Sequence, residues 1–378
     1  MRTYTFCGLF LAVFALVSCS SSENGSDTPG DGPTVGAAVD YTLLMDSGNT
    51  ITSKSLNANG EVITMNPTAA PFGTTDQPDF TYRDGNVISF YNTTGPCGGA
   101  YTKYDFSTDA AQDATIFEDL GDCGLTALGI AHSDDAVYIG YGVVENDTET
   151  NYFIRAIPTG DQGGDPVDIP MVQKPEHLVF ANNRLFVLTS DLVTVNENKL
   201  YVMDAATNTF IIEMNLGTDA RRLIKDANND VIVSYDTLHT IMNSQTLSQE
   251  TVRYREDLPT EFAASDFHTF DSSGSLYYIM PPGDNAAYSF LPAIYNFSSN
   301  LIVLYDFEQF LSDQKRNLEY EIETATAVTY DEGNNFLVIG YKKIGSQKGG
   351  ILRVFIGEQP AVIDNLDVDG IPYAILEK

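Results

Sequence analysis

From Asn182 to Leu216 the chain reads NNRLFVLTSDLVTVNENKLYVMDAATNTFIIEMNL, three alternating apolar runs (RLFVLT, KLYVMD, FIIEMN) separated by polar turns. Alternation with a period of two sends apolar side chains to one face of an extended strand. The pattern returns along the chain, each time as a tight polar turn before a β-branched and aromatic run: RDGN before VISFY, SDDA before VYIGY, ANNR before LFVLT, ANND before VIVSY, SSGS before LYYIM and EGNN before FLVIGY. These runs begin at Val87, Val137, Leu185, Val231, Leu276 and Phe336, at intervals of 50, 48, 46, 45 and 60 residues. Asn, Asp and Gly in the turns supply the backbone freedom that short hairpins demand.

A period near 45 with about four strands per unit predicts an all-β propeller, and it overrides the two or three domains that 378 residues would otherwise suggest. With strands labelled A to D from the axis outward, Arg221 to Lys225 is an A strand, Val231 to Tyr235 a B, Leu238 to Asn243 a C and Glu250 to Tyr254 a D. Tyr41 to Asp46, Ile51 to Leu56 and Glu61 to Met65 fit B, C and D with no A, whereas Gly370 to Lys378 fits an A with no B. The two ends therefore predict a seventh blade in which a C-terminal strand completes the N-terminal three, removing free sheet edges. The motifs KLYVMDAATNT and NNRLFVL resemble those of seven-bladed propellers with YVTN-type or quinoprotein-dehydrogenase-like repeats. The resemblance covers essentially all of the mature chain and implies a fold, not an activity.

The first residues run from Met1 and Arg2 through an apolar core, Phe6 to Val17, which is a secretory signal too short to span a bilayer. Leu16-Val17-Ser18-Cys19 resembles a bacterial lipobox. That resemblance implies removal of residues 1–18 and a lipid, palmitate included, on Cys19. Residues 19–40 are small, polar and acidic, with too little apolar surface to repay ordering, and read as a tether to a propeller over 41–378. The acidic serine-rich run after Cys19 resembles the surface-export signals of Bacteroidota lipoproteins, which implies an outer-membrane protein at the cell surface.

A formal net charge of −32 argues against nucleic acid and anionic lipid as partners, because both need clustered Lys and Arg. Cys97 and Cys123 remain once the signal is gone and Cys19 is lipidated. The strand labels put them in a B-to-C loop and the next D-to-A connection, on one face, so an oxidising compartment predicts a disulfide, with two separate buried thiols as the alternative.

The A-to-B turns are short, whereas NTTGPCGGA, GVVENDTETN, SDLVTVNEN, PPGDNAAYSFLPA and KKIGSQKGG make long B-to-C connections, so the functional surface is expected on that face. Asp306 to Glu319 carries Phe307, Phe310, Leu311 and Leu318 at helical spacing and predicts a short helix there. Basic residues are scarce, so Lys342, Lys343 and Lys348 in one loop, with Arg155, are candidates for an anionic ligand. Tyr288, Phe290 and Tyr295 offer stacking surfaces. His177 and His268 each stand eight residues before the B strand reference position, hence at equivalent A-strand positions facing the channel. The other histidines are His132 and His239, and no HxH, HExxH or CxxC spacing points to a metal or to another cofactor.

Binding is therefore expected over catalysis: a surface lipoprotein whose propeller holds a ligand or partner. Some Bacteroidota propeller lipoproteins accompany TonB-dependent receptors and capture nutrients such as iron-siderophore complexes, and the lipobox, tether and propeller resemble that group. The alternatives are a propeller lactonase or other hydrolase with a channel metal at His177 and His268, and an adhesive or protein-interaction scaffold.

Overall fold

Turn chemistry sets the hairpins. Asn182 and Asn183 take φ of 47° and 58°, a left-handed pair that asparagine tolerates, and so reverse the chain between strands Lys174–Ala181 and Arg184–Ser190. The computed structural model describes residues 36–378 apart from 61, 122–123, 147–148, 161–162, 192–196, 256–259, 263–266 and 285. The signal, Cys19, most of the tether and Cys123 lie outside the described residues.

Seven antiparallel sheets follow one another along the chain, each built in the order A to D. In blade 2 these strands are Phe80–Asp84, Val87–Gly95, Gly98–Asp105 and Ala110–Ile116. Blade 3 runs from Leu125–His132 through Ala136–Asn146 and Glu149–Pro158 to Val167–Met171. Blade 4 continues from its first two strands into Glu197–Asp204 and Thr209–Thr218, and blade 5 consists of Ala220–Lys225, Val231–Tyr235, Leu238–Met242 and Gln249–Arg253. Thr269–Phe270, Ser275–Met280, Leu291–Asn296 and Leu301–Leu304 form blade 6; Ile322–Asp331, Phe336–Lys343, Gly349–Phe355 and Ala361–Val368 form blade 7. B strands such as Arg184–Ser190 are buried through their central residues on both faces, whereas the outer strand Thr209–Thr218 alternates between exposed and half-buried positions. That gradient is what packing blade against blade around an axis produces.

Blade 1 closes the ring as expected. Its A strand is the C-terminal Ile371–Glu377, which pairs antiparallel with Val39–Asp46, with Tyr41 opposite Glu377. Thr50–Asn59 and Val62–Met65 complete the blade, and Thr74–Asp76 adds an edge segment to Thr50–Asn59. The first strand begins at Val39, inside the stretch expected to be tether. Buried polar groups tie this blade to blade 7. Tyr41 Oη donates to Asp331 Oδ2 at 2.6 Å, and neither residue is exposed to solvent. Arg353, also buried, grips Asp364 with Nε and Nη2 at 2.8 and 2.9 Å and donates to Gly60 O at 3.0 Å.

Two features differ from expectation. NTTGPCGGA and GVVENDTETN are largely strand: the B and C strands of blades 2 and 3 pair out to Gly95 with Gly98 and to Asn146 with Glu149, because their Thr, Tyr and Val residues continue the ladder. The segment 306–319 is not one helix. A single turn, Phe307–Phe310, is capped by Asp306, whose side chain accepts from Glu308 N at 2.9 Å, and a π-turn follows at Lys315–Glu319. Phe307 and Leu311 bury themselves against blades 6 and 7, while Leu318 points outward at 77% exposure, so the apolar residues never share one helical face.

Candidate functional site

The A strands enclose a cavity of 710 Å³ on the axis, and side chains from blades 2, 4, 5 and 6 give it its chemistry. His177 pairs across its hairpin with Leu188, and Arg222 with Ser234, each opposite the B strand's fourth residue when Leu185 and Val231 are counted first. His268 stands immediately before Thr269–Phe270 in the next blade. Arg83 sits deeper toward the A-to-B turns, opposite Ile88. Below it the Lys225 ammonium forms an ion pair with Asp84. Because these two belong to blades 5 and 2, which are not neighbours, the pair bridges the channel. Tyr82 reaches across in the same region, its hydroxyl accepting from Phe180 N at 3.2 Å. The A-to-B end is therefore laced across, and the cavity also borders Gln77 to Asp79 at the opposite, B-to-C end.

The electrostatics are unusual for so acidic a chain. Wall residues strip water from His268, and the positive charges of Arg222 and Arg83 act in the same direction, so its pKa is pushed down to about 3. His177 is driven well below its ordinary value by the same loss of water, then by Arg222 and His268. Both imidazoles are neutral at pH 7. Arg83 is desolvated as well, which brings its pKa down to about 10. Its Nε donates to Gly85 O at 2.8 Å, but among the described residues its buried Nη1 has no hydrogen-bond partner, and neither has His177 Nδ1. Among the described residues, the acids bordering the cavity are already engaged. Asp84 holds Lys225, Glu176 holds Lys174 at 2.9 Å, and Asp79 accepts from Thr93 N at 2.7 Å. Asp226 accepts from Asn228 N and Asp230 N, both at 2.8 Å, and burial raises its carboxyl pKa.

Of the residues singled out in the sequence, only His177 and His268 border this cavity. The loop lysines each hold a carboxylate: Lys342 with Glu323 at 2.6 Å, Lys343 with Asp367 at 2.8 Å and Lys348 with Asp369 at 3.0 Å. Arg155 is buried between Asp119 and Asp168 and lies over the Phe117 ring. Tyr288 is buried, accepts from Arg316 Nη1 at 2.9 Å and meets Phe307 edge-on. Phe290 is half-buried, with its backbone N donating to Thr324 Oγ1, and Tyr295 lies in the core of blade 6. Arg83, Arg222 and Lys225 were missed. The available signal was positional, since basic residues are scarce and these three fall on A strands.

His132 and His239 are buried away from the cavity. His132 Nδ1 shares a 2.8 Å hydrogen bond with Ser89 Oγ, and its pKa falls to about 3 through burial and then the charges of Lys103 and Lys225. His239 stacks on Tyr254 at 5.4 Å among Phe262, Tyr295 and Phe297, with neither ring nitrogen bonded. Among the described residues no group of three or more His, Cys, Asp or Glu is placed to hold a metal ion.

No family model matches this chain, and no curated protein matches it either. Solved structures with a similar fold include Hsv2p of Kluyveromyces lactis, 12% identical over 87% of this chain and 98% of that one, with a TM-score of 0.42. Apo AztD of Citrobacter koseri is 11% identical over 91% and 98%, with a TM-score of 0.45. The β-propeller domain of the Trilobed protease of Pyrococcus furiosus is 8% identical over 88% and 95%, with a TM-score of 0.43. The class of this protein, a seven-bladed β-propeller closed by its C-terminal strand, rests on its own sheet order and pairing.

Proposed function

We propose that this protein is the solute-capturing head of a surface lipoprotein, holding a small ligand in the central channel. The carrying observation is the cavity itself: neutral His177 and His268 beside Arg83, a desolvated guanidinium with no carboxylate partner among the described residues. Polar groups left unsatisfied at a concave site are costly to keep and are the usual mark of a ligand position. In this reading Cys19 carries the lipid that anchors the chain to the outer membrane, Cys97 and Cys123 form a disulfide on the B-to-C face, and no nucleic acid is bound.

That face suits a partner protein. Among the described residues the large apolar side chains left exposed fall into two groups. Val62, Val167, Ile211, Leu301 and Val303 lie on outer D strands and Val144 on the B strand of blade 3, whereas Val172, Leu318 and Ile344 lie on B-to-C or D-to-A connections. Leu318 and Ile344 come from neighbouring segments joined by an Ile344 N to Glu321 O bond of 2.7 Å. The adjacent exposed Leu318 and Ile344 support docking to a TonB-dependent receptor, with the propeller delivering a nutrient such as an iron-siderophore complex. The test is affinity purification of the tagged, lipidated protein from gently solubilised outer membranes, parent beside Leu318→Asp. A stoichiometric receptor with the parent and its loss with the variant is the expected result. Recovery of the protein alone from both would count against the accessory role.

A further inference from the structure

We infer that the channel ligand presents an oxyanion, a carboxylate or a phosphate group, that seats on Arg83 beside the rings of His177 and His268. The inference rests on the reading that the channel binds a solute and adds the chemical class of that solute. Three observations lead to it. First, Arg83 is a half-buried guanidinium on the channel wall, with Nε donating to Gly85 O and a buried Nη1 that meets no partner among the described residues. The fully buried guanidiniums Arg155 and Arg353 have their acids in place, Arg155 between Asp119 and Asp168 and Arg353 on Asp364. A buried charge kept without a counter-ion is among the most expensive features a fold can carry, and an incoming anion removes that cost.

Second, the nearest carboxylate in sequence is already used. Asp84 is turned to Lys225 across the channel, so it neutralises that ammonium and not the guanidinium of its neighbour. Third, His177 lines the same cavity with a buried Nδ1 that has no hydrogen-bond partner among the described residues, and Arg222 contributes positive charge felt by both histidines. A neutral imidazole can donate one N–H to an oxyanion without adding a second charge that must be desolvated in its absence. The guanidinium fork suits two oxygens of a carboxylate or phosphate, while a neutral sugar or a metal cation would leave Arg83 uncompensated or repelled.

The experiment is a thermal-shift and calorimetric titration of the full propeller with inorganic phosphate, citrate, glucose and choline at matched ionic strength. Parent, Arg83→Met and Lys343→Gln are compared. Lys343→Gln removes a basic group outside the channel and controls for general charge. The expected result is saturable binding of phosphate or citrate to the parent, weakened about tenfold or more in Arg83→Met and unchanged in Lys343→Gln. The phosphate and citrate arms distinguish a tetrahedral from a carboxylate group. Binding of glucose or choline that survives in Arg83→Met, with no response to either anion, would overturn the oxyanion and leave channel capture standing. Anion binding that is the same in parent and Arg83→Met would overturn the assignment to Arg83. No saturable response to any of the four probes would count against both readings.

Discussion

Arg83→Met is expected to make the protein more stable. The substitution keeps an unbranched side chain of similar reach and removes the charge. Desolvation pulls the Arg83 pKa from the ordinary arginine value down to about 10, and at about 1.4 kcal/mol per unit this corresponds to roughly 3 kcal/mol by which the folded state disfavours the charged form. Against that gain stands the lost bond from Nε to Gly85 O, 2.8 Å long, worth about 1 kcal/mol net. The balance is a stabilisation of about 2 kcal/mol, or roughly 4 °C in melting temperature for a domain of this size. The sign with pH follows from linkage. A base whose folded pKa is depressed carries its full cost at every pH below the folded value and loses it only as pH rises toward the unfolded one, so the gain should be constant between pH 6 and 9. Urea unfolding of parent and variant in a buffer free of phosphate and carboxylates measures it directly. A variant less stable than the parent by 1 kcal/mol or more would show that the guanidinium is compensated within the fold, and the argument for a stored cost at the binding site would fail.

Two further substitutions probe the frame. His239→Leu removes two buried, unbonded ring nitrogens from an aromatic cage and should stabilise the protein by about 1 to 3 kcal/mol at pH 7. Because burial holds the His239 pKa at about 4, the unfolded chain gains a proton below pH 6.5 that the folded ring refuses, so the parent loses stability on acidification across that window. The advantage of His239→Leu should therefore grow by roughly 2 kcal/mol between pH 6.5 and 5, and an advantage that stays constant over that range would refute the assignment. Tyr41→Phe deletes the 2.6 Å bond to buried Asp331 at the blade 7 to blade 1 junction and should cost about 1.5 to 3 kcal/mol in denaturant unfolding, leaving Asp331 with Asn334 as its remaining side-chain donor. Unchanged stability would mean that the closing junction does not depend on that contact.

Alternation and turn chemistry are local properties, and they were sufficient for the architecture. Each run such as Val231–Tyr235 carries its own period of two, each preceding turn its own Asn, Asp or Gly, and the unmatched strands at the two ends already implied the pairing of Ile371–Glu377 with Val39–Asp46. Counting back from the B strands also placed His177 and His268 on the channel. Only the tertiary structure decided what those positions mean. Lys342, Lys343 and Lys348 stand out in sequence because bases are rare, yet strand pairing brings Glu323, Asp367 and Asp369 to them from adjacent segments. Conversely, Asp84 and Lys225 are 141 residues apart and meet only because ring closure sets blades 2 and 5 across one axis. Charge balance inside a propeller is settled between blades, over separations that no local pattern encodes, and so the unbonded Nη1 of Arg83 is visible only once the ring is closed.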